Sequence, residues 1–428
     1  MGSGLVRARR CFERGLDRLQ RLCFLALHGQ EPHPSALPKA SAGSGRNTLP
    51  FGNEHRGLRK VPDPNARDGC AGQSTVRRPV ASAGMPHPPV FDGHNDALTK
   101  PDHARFATAR RGGHLDLPRM RAGGLRGGIF SVFTHSLKER KRPLARDDGV
   151  LEFELAPRIS HQRAAAQAGA VAGRLLELER GGHLRLARET ADFDEAIADE
   201  GPPLAVLHLE GAEAIDPELE ALDMWYAAGL RSLGPVWSRP NAFGHGVPFI
   251  FPSSPDTGPG LTDQGRVLVK RCAELGILVD LSHLNEAGFW DVARMTPGPL
   301  VATHSGVHRL SAASRNLTDA QLDAIGASAG LVGIIFGCAF LRADFAEDPD
   351  TPIELIAKHA RYVADRIGVE HLALGSDFDG TLIPAAVGDA AGLPRVLDAL
   401  AGAGFDAREL SAITHGNWRR VLGAWWKR

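Results

Sequence analysis

Side chains that can bind a metal ion stand at the ends of five apolar runs in this 428-residue sequence. Imidazole nitrogen and carboxylate oxygen are ligands that Zn²⁺ accepts, and burying an ionisable group is costly unless it is paired or bound to metal. One such histidine, or one DFDG turn, is more often a structural feature, but five coincidences together predict a metal centre. The candidates are His94, Asp96, Glu210, His283, His304, Asp377 and Asp379.

The elements that must position these side chains follow from the pattern after residue 85. Eight apolar runs alternate with helical patterns such as DQGRVLVKRCAEL and TDAQLDAIGAS, which follow the predicted N-caps Thr262 and Thr318. Strands that are apolar along nearly their whole length are typical of parallel sheets covered on both faces. Eight such units predict an α/β fold with a (β/α)8 TIM-type barrel, and an open doubly wound sheet is the alternative. The runs are residues 89–96, 127–133, 203–211, 230–237, 276–283, 299–305, 330–336 and 371–380.

In such a barrel the carboxyl ends of all strands meet at one mouth, so candidates far apart in sequence become neighbours. His94 and Asp96 are two residues apart and therefore point to the same side of their strand. The C-terminal SAITHGNWRRVLGAWW predicts a closing amphipathic helix whose tryptophans belong to the core. The Gly/Pro-rich loop over residues 239–260 follows the fourth strand, where substrate contacts usually lie.

The amino-acid composition limits the classes of partner and the compartment that we expect for this protein. Lys+Arg and Asp+Glu each number 50, so charge gives no reason to expect a nucleic acid or an anionic membrane. The five cysteines show no metal-like spacing and no disulfide framework, which predicts a reducing compartment. No run of 18 apolar residues is present. We therefore expect a cytoplasmic protein without nucleic-acid or membrane partners. The sequence is compatible with a homodimer.

Residues 1–84 differ from the rest of the chain. The segment from Gln30 to Gly84 is rich in Pro, Gly, Ser, Arg and Asn, and it cannot bury enough apolar surface to offset the entropy of ordering. We predict a disordered extension over residues 1–84 and one barrel domain over residues 85–428. Met85 directly precedes the first run, so a wrongly assigned upstream start would explain the extension. A partner-binding tail with a short helix over residues 5–27 is the alternative.

Six motifs then identify a resemblance. FDGHND, HLEG, DLSH, THS, SRNLTD and GSDFDG occur in this order, and the sequence resembles the membrane dipeptidase (renal dipeptidase) family of zinc metallopeptidases. LDLPRMRAGG over residues 115–124 and the terminal HGNWRRVL are also similar to the family. The resemblance covers about residues 88–424. It implies an amidohydrolase-like barrel with metal-dependent hydrolase architecture, two Zn²⁺ per chain and a dipeptide substrate.

The resemblance implies a role for each metal ligand. His94 and Asp96 would bind the first zinc ion, and His283 and His304 the second. Glu210 would bridge both. Two metal ions about 3.5–4 Å apart can hold a bridging hydroxide at neutral pH and polarise a scissile carbonyl. The implied activity is that of a metallodipeptidase, which hydrolyses the peptide bond of dipeptides through this hydroxide.

Further roles follow from the same resemblance. Asp377 matches the acid/base residue that carries a proton to the leaving amine, and Asp379, with the same strand parity, is assigned to its support. Arg315 in SRN matches the residue that grips the substrate carboxylate; the residue type alone would suggest a surface salt bridge. Well-known family members carry a carbonyl-binding histidine where this chain has Trp237. His245 in the next loop is a candidate to replace this histidine, although a loop histidine is more often simply solvated.

Two other functions remain open at this point. One is a metal-dependent amidohydrolase that acts on a lactam, a D-configured dipeptide or another small amide. The other is a non-catalytic metal-binding barrel, which loss of a ligand or of Asp377 would indicate; neither is lost.

Overall fold

The computed structural model describes residues 87–136, 144–146, 148–199 and 201–426. The predicted extension over residues 1–84, its short helix and the alternative start at Met85 lie outside the described residues.

Eight parallel strands form the centre of an α/β fold, which confirms the predicted class. The strands are β1 Val90–Asn95, β2 Leu125–Phe133, β3 Leu204–Glu210, β4 Leu230–Gly234, β5 Leu278–Val279, β6 Val301–Ser305, β7 Leu331–Ile334 and β8 Leu372–Leu374. Strands β1–β5 make one curled sheet in the order β1-β2-β3-β4-β5, and β6-β7-β8 make a second sheet. Each strand lies within its predicted run, except that β2 begins two residues earlier.

The two sheets meet at two junctions, each of which has a single parallel bridge instead of a regular ladder. At the β5–β6 junction the bridge pairs Asp280 with Val301, and the Leu281 N–H donates to the Val301 carbonyl at 2.9 Å. At the β8–β1 junction the bridge pairs Asn95 with Phe378. Side chains therefore have room to replace backbone hydrogen bonds at both junctions.

One or two helices connect each strand to the next. The helices are α1 Leu117–Ala122, α2 His161–Arg180, α3 Thr190–Ile197, α4 Glu220–Ala227, α5 Asp263–Leu275, α6 Glu286–Met295, α7 Asp319–Ala327, α8 Glu354–Ile367, α9 Leu393–Gly402, α10 Ala407–Ser411 and α11 Asn417–Trp425. Thr262 caps α5 by accepting the Gly265 N–H at 3.0 Å, and Thr318 forms a capping box with Gln321 at the start of α7, which confirms both predicted N-caps.

Short elements complete the fold. Three short strands form a small antiparallel sheet, and one further short strand pairs with the start of β3. The small sheet consists of Leu144–Ala145, Leu151–Glu152 and Ile250–Phe251, and the further strand is Arg185–Leu186. The short helical turns are Ala97–Thr99, His103–Arg105, Ala212–Ala214, Cys338–Leu341, Val369–His371, Ala390–Gly392 and the π-helical Ala412–Gly416.

The C-terminal tryptophans are core residues, as predicted. Trp418, Trp425 and Trp426 are all buried. The helix predicted over residues 411–426 begins with the π-helical turn Ala412–Gly416 and continues as α11. The Trp418 indole N–H donates to the Leu374 carbonyl at 3.1 Å. A Cβ at Gly93 would lie 2.5 Å from the Trp418 ring, so only glycine allows β1 to pack this closely against α11.

Candidate metal centre

The candidate ligands converge at the carboxyl ends of the strands. His94 lies in β1, Glu210 ends β3 and His304 lies in β6, while the other candidates follow a strand within five residues. Every candidate is buried, with at most 9% of its surface exposed. The strand ends thus bring together residues that are up to 283 positions apart in the sequence, from His94 to Asp377.

Glu210 lies at the middle of the cluster, with three imidazoles around it. Its Oε2 is 3.5 Å from His94 Nε2, and its Oε1 is 3.0 Å from His283 Nε2 and 3.9 Å from His304 Nε2. The His283 and His304 Nε2 atoms are 3.1 Å apart. Ser131 fixes the carboxylate by donating to Oε2 at 2.8 Å. Each Glu210 oxygen therefore faces a different histidine group.

Unpaired buried atoms test whether this cluster suits a metal ion. Among the described residues, no group forms a hydrogen bond with His94 Nδ1, His94 Nε2 or Asp96 Oδ1, although all three atoms are buried. Buried polar atoms are normally paired. Ligand atoms of His94, Glu210 and His304 lie within 4.8 Å of one another, as do those of His94, Asp96 and Asp377. Nitrogen and oxygen donors at this spacing fit divalent transition-metal ions.

The carboxylates repel one another. Burial and the neighbouring Glu210 charge raise the pKa of Asp96 to about 6, against the opposing effect of His94. Burial, Asp96 and Glu210 also raise the pKa of Asp377 well above its usual range. A bound cation would stabilise the ionised form of these acids.

The imidazoles differ from one another in charge. Burial and the Arg315 charge lower the pKa of His283 to about 4, and burial, His94 and Arg315 hold that of His304 well below its usual range. Burial also acts to lower the pKa of His94, but the carboxylates of Glu210, Asp96 and Asp377 together outweigh it, and the pKa rises to about 10. His283 and His304 are thus neutral and able to bind metal, and a metal ion would replace the proton of His94.

Asp377 and Asp379 follow β8 in a turn where both adopt left-handed backbone conformations, with φ of 58° and 69°. Aspartate tolerates this region better than most residues. The Asp377 N–H donates to the His94 carbonyl at 3.0 Å, which places Asp377 beside the ligands. Asp379 instead accepts Arg110 Nη1 at 2.6 Å and the His114 N–H at 2.9 Å. Its direct partners are therefore Arg110 and His114.

A cavity with a volume of about 620 Å³ opens at the candidate metal centre and is lined by Asp96, Glu210 and Asp377. Arg315 lines this cavity as well. Its side chain is buried; Nη1 donates to Ser305 Oγ at 2.8 Å and Nη2 to the His304 carbonyl at 2.9 Å. No carboxylate within the described part of the chain forms an ion pair with it. Its guanidinium therefore keeps donors for an anionic ligand.

Five rings on one side of the cavity form what we call the aromatic wall. Trp237 is half-buried, and its ring centroid is 5.1 Å from that of Phe133 and 5.5 Å from that of Phe249. His245 does not line the cavity, and its Nδ1 lies 3.3 Å from the Gly260 carbonyl oxygen. The wall consists of Phe133, Phe153, Trp237, Phe249 and Phe340.

Sequence reasoning missed several residues that shape the site. Phe249 falls in the loop over residues 239–260, which the sequence predicts to contact substrate, but His245 is the residue of that loop that the sequence singles out, not Phe249. Ser131 is a polar residue inside an apolar strand, and that contrast was an available signal. Ser238, whose Oγ is 2.9 Å from His283 Nδ1, has no comparable signal, nor do Phe153 and Phe340.

Residues 80–425 match the model of the membrane dipeptidase family, Peptidase family M19. The chain belongs to this family. A solved metallo peptidase from Rhodobacter sphaeroides, liganded with a phosphinate mimic of the dipeptide L-Ala-D-Ala, is similar at 43% identity and a TM-score of 0.74; the match covers 79% of this chain and 100% of that one.

Two curated relatives are also similar to this chain. An uncharacterized protein in the pqqA 5′ region of Klebsiella pneumoniae is 48% identical over 246 residues, which is 58% of this chain and 90% of that protein. Dipeptidase tcpJ of Claviceps purpurea (strain 20.1) is 27% identical over 369 residues, 83% of this chain and 80% of that protein. Membership in this family supports the assignment of the chain as a metal-dependent dipeptidase, that is, as a hydrolase.

None of the helices in the described ranges has the length and apolar character needed to cross a bilayer. The cytoplasmic location, the absence of a nucleic-acid partner and a homodimer stay predictions.

Proposed function

We propose that this chain hydrolyses the peptide bond of dipeptides at a centre of two zinc ions, at the mouth of one closed (β/α)8 barrel. The observation that carries the proposal is the set of buried, unpaired ligand atoms around Glu210, within the chain of a dipeptidase family. Barrel closure is supported by the bridges at the β5–β6 and β8–β1 junctions, which connect both edges of one sheet to the other.

The ligand assignment follows the two sides of Glu210. His94 and Asp96 would hold one ion near Oε2, and His283 and His304 the other near Oε1. When bound, the two ions would supply the attacking hydroxide and polarise the scissile carbonyl. Proton transfer and substrate orientation would be carried out by side chains of the protein.

Asp377 is the proposed proton carrier. It lines the cavity, and its carboxylate lies within 4.8 Å of ligand atoms of His94 and Asp96. A group at this position can take a proton from the nucleophile and give it to the leaving amine. A Cβ at Gly380 would overlap Asp377 Oδ1 and Asp96 Oδ2, so glycine at that position keeps the carboxylates in place.

Arg315 and the aromatic wall would orient the substrate. The buried guanidinium of Arg315 suits a terminal carboxylate, because a charge-assisted pair is strong where water is excluded. The wall offers flat apolar surface to a side chain of the dipeptide, and Trp237 is the largest ring in it.

A D-configured C-terminal residue is a second candidate feature of the substrate. The Rhodobacter sphaeroides relative was solved with a mimic of L-Ala-D-Ala, and it is 43% identical to this chain. Substrates of both configurations therefore belong in the test.

The test combines metal analysis with a hydrolysis assay. Purified wild type should hold about two zinc ions per chain, and a His283→Ala/His304→Ala variant should lose one of them together with activity. The assay should include L,L and L,D dipeptides and a small lactam. A single metal ion in fully active wild type would contradict the two-zinc centre, and turnover of the lactam without any dipeptide would favour the amidohydrolase alternative.

A further inference from the structure

Two buried aspartates lie at the sheet junctions, outside the proposed ligand set. Asp280 follows β5 and is 3% exposed, and Asp92 lies in β1 and is 1% exposed. Burying a carboxylate is costly unless hydrogen bonds compensate. The hydrogen-bond partners of each carboxylate therefore indicate its role in the structure.

At the β5–β6 junction, Asp280 replaces the missing ladder with side-chain hydrogen bonds. Its Oδ1 accepts the backbone N–H of Thr303 at 2.9 Å and the Ser282 hydroxyl at 2.6 Å, and its Oδ2 accepts the Thr303 hydroxyl at 2.6 Å. The Ser282 hydroxyl in turn accepts the His304 N–H at 3.1 Å. One carboxylate thus fixes the end of β6 next to a proposed ligand.

The Thr303 hydroxyl also reaches the ring of that ligand, with Oγ1 2.8 Å from His304 Nδ1. A hydroxyl has one proton, and the short contact to Asp280 uses it. The contact with His304 must then run the other way, with Nδ1–H donating to Oγ1. That tautomer leaves the Nε2 lone pair free, and Nε2 is the atom that faces Glu210 and His283.

The β8–β1 junction uses the same residue type differently. Asp92 Oδ1 accepts the Ser376 N–H at 2.7 Å, and Oδ2 accepts the Ser376 hydroxyl at 2.8 Å. The Ser376 hydroxyl also reaches the His94 carbonyl at 3.2 Å and accepts the Phe378 N–H at 3.0 Å. Asp92 therefore binds the backbone and the hydroxyl of Ser376. Within the described structure neither ring nitrogen of His94 is hydrogen-bonded.

We propose that Asp280 is a positioning residue for the metal centre: acting through the Thr303 hydroxyl, it fixes the tautomer and ring orientation of His304 and so sets the affinity for one metal ion. The inference rests on the proposed metal centre. Groups that hold a ligating histidine by its second nitrogen commonly affect metal affinity about 10–100-fold. Asp92 contacts no ring of the ligand set, and its junction is the internal control.

The experiment compares Thr303→Val with Thr303→Ser in the full-length protein. Valine has nearly the shape of threonine but no hydroxyl, whereas serine keeps the hydroxyl. Zn²⁺ affinity is measured by competition with a chelator, and thermal unfolding checks the fold. Thr303→Val should weaken one of the two zinc-binding steps about 10–100-fold, the step that His304→Ala also weakens, and Thr303→Ser should restore it.

Two further variants make the result specific. Ser376→Ala, at the other junction, should leave the step assigned to His304 unchanged. Asp280→Asn should weaken that step; if this variant does not fold, the Thr303 pair decides. Equal weakening of both steps by Thr303→Val, or the same loss with Thr303→Ser, would overturn the inference. A wild type that binds only one Zn²⁺ would instead contradict the two-zinc centre, and the Thr303 comparison would still test the link to His304.

Discussion

The cavity has a floor and a wall that are held in different ways. The floor consists of the ligands and Asp377, which lie in strands or shortly after them, and hydroxyl groups hold several of them: Ser131 contacts Glu210 at 2.8 Å, and Ser238 contacts His283 at 2.9 Å. The aromatic wall takes Phe153, Phe249 and Phe340 from outside the eight strands. Its rings contact one another, and they also contact the Phe345 ring and the imidazole of His283.

This difference predicts which residues set the rate of turnover and which set the preference among substrates. Side chains on strands are positioned by register and by hydrogen bonds with strict geometry, so small changes in the floor should lower turnover for every substrate. Rings packed against rings tolerate replacement by another ring, so changes in the wall should alter preference among substrates. Four variants test this contrast.

The largest effect is expected for Asp377→Asn in the floor. The amide cannot carry the proton, so kcat should fall about 10²–10⁴-fold while the protein keeps its metal and fold. Steady-state kinetics and metal analysis measure this. Asp379→Asn is the matched control, since Asp379 binds Arg110 and His114; it should lower thermal stability more than kcat. A larger loss of kcat in the control would transfer the acid/base role to Asp379.

Gly380→Ala should have the next largest effect. The new methyl group would overlap carboxylate oxygens of Asp377 and Asp96, and displacing catalytic groups by about 1 Å can cost on the order of 10²-fold in rate. Gly402→Ala is the control, because a Cβ there meets no atom within 4 Å. Wild-type kcat in Gly380→Ala would mean that the floor adjusts more freely than its hydrogen bonds indicate.

Arg315 connects the floor with substrate recognition. Loss of one partner of a buried charge pair costs about 2–5 kcal/mol, so Arg315→Ala should lower kcat/KM for free dipeptides more than roughly tenfold. It should also abolish their preference over C-terminal amides, whereas Arg315→Lys keeps the charge and should keep part of that preference. Equal wild-type rates on acid and amide would remove the carboxylate role of Arg315.

The smallest effect is expected at Trp237 in the wall. Contacts between aromatic rings contribute about 0.5–1.5 kcal/mol beyond area burial, so Trp237→Ala should lower kcat/KM for aromatic dipeptides by about 2–10-fold relative to Ala-Ala. Trp237→Phe keeps a ring and should keep most of the preference. A uniform loss for all dipeptides would place Trp237 functionally with the floor.

Much of the floor could be predicted from the sequence by itself. Eight apolar runs predicted the strands, and the His, Asp and Glu residues at the ends of five of them predicted the candidate ligands. Each strand lies where its run does, apart from the two-residue earlier start of β2. N-caps such as Thr262 were predictable too, because a cap is made within one turn of chain. These features depend on local pattern and on the rule that parallel strand ends share one edge.

Tertiary structure decided the rest. The pairing of Asp379 with Arg110 joins residues 269 positions apart, and Phe153, Phe249 and Phe340 meet only because separate loops pack together. The hydrogen bonds from Asp280 through Thr303 to His304 depend on how β5 meets β6, where the backbone ladder is interrupted. Loops have no periodicity that could reveal which side chains face a cavity, and the direction of a hydroxyl proton is set by the atoms around it. Substrate preference and the exact orientation of the candidate ligands therefore arise from contacts that exist only in the folded chain.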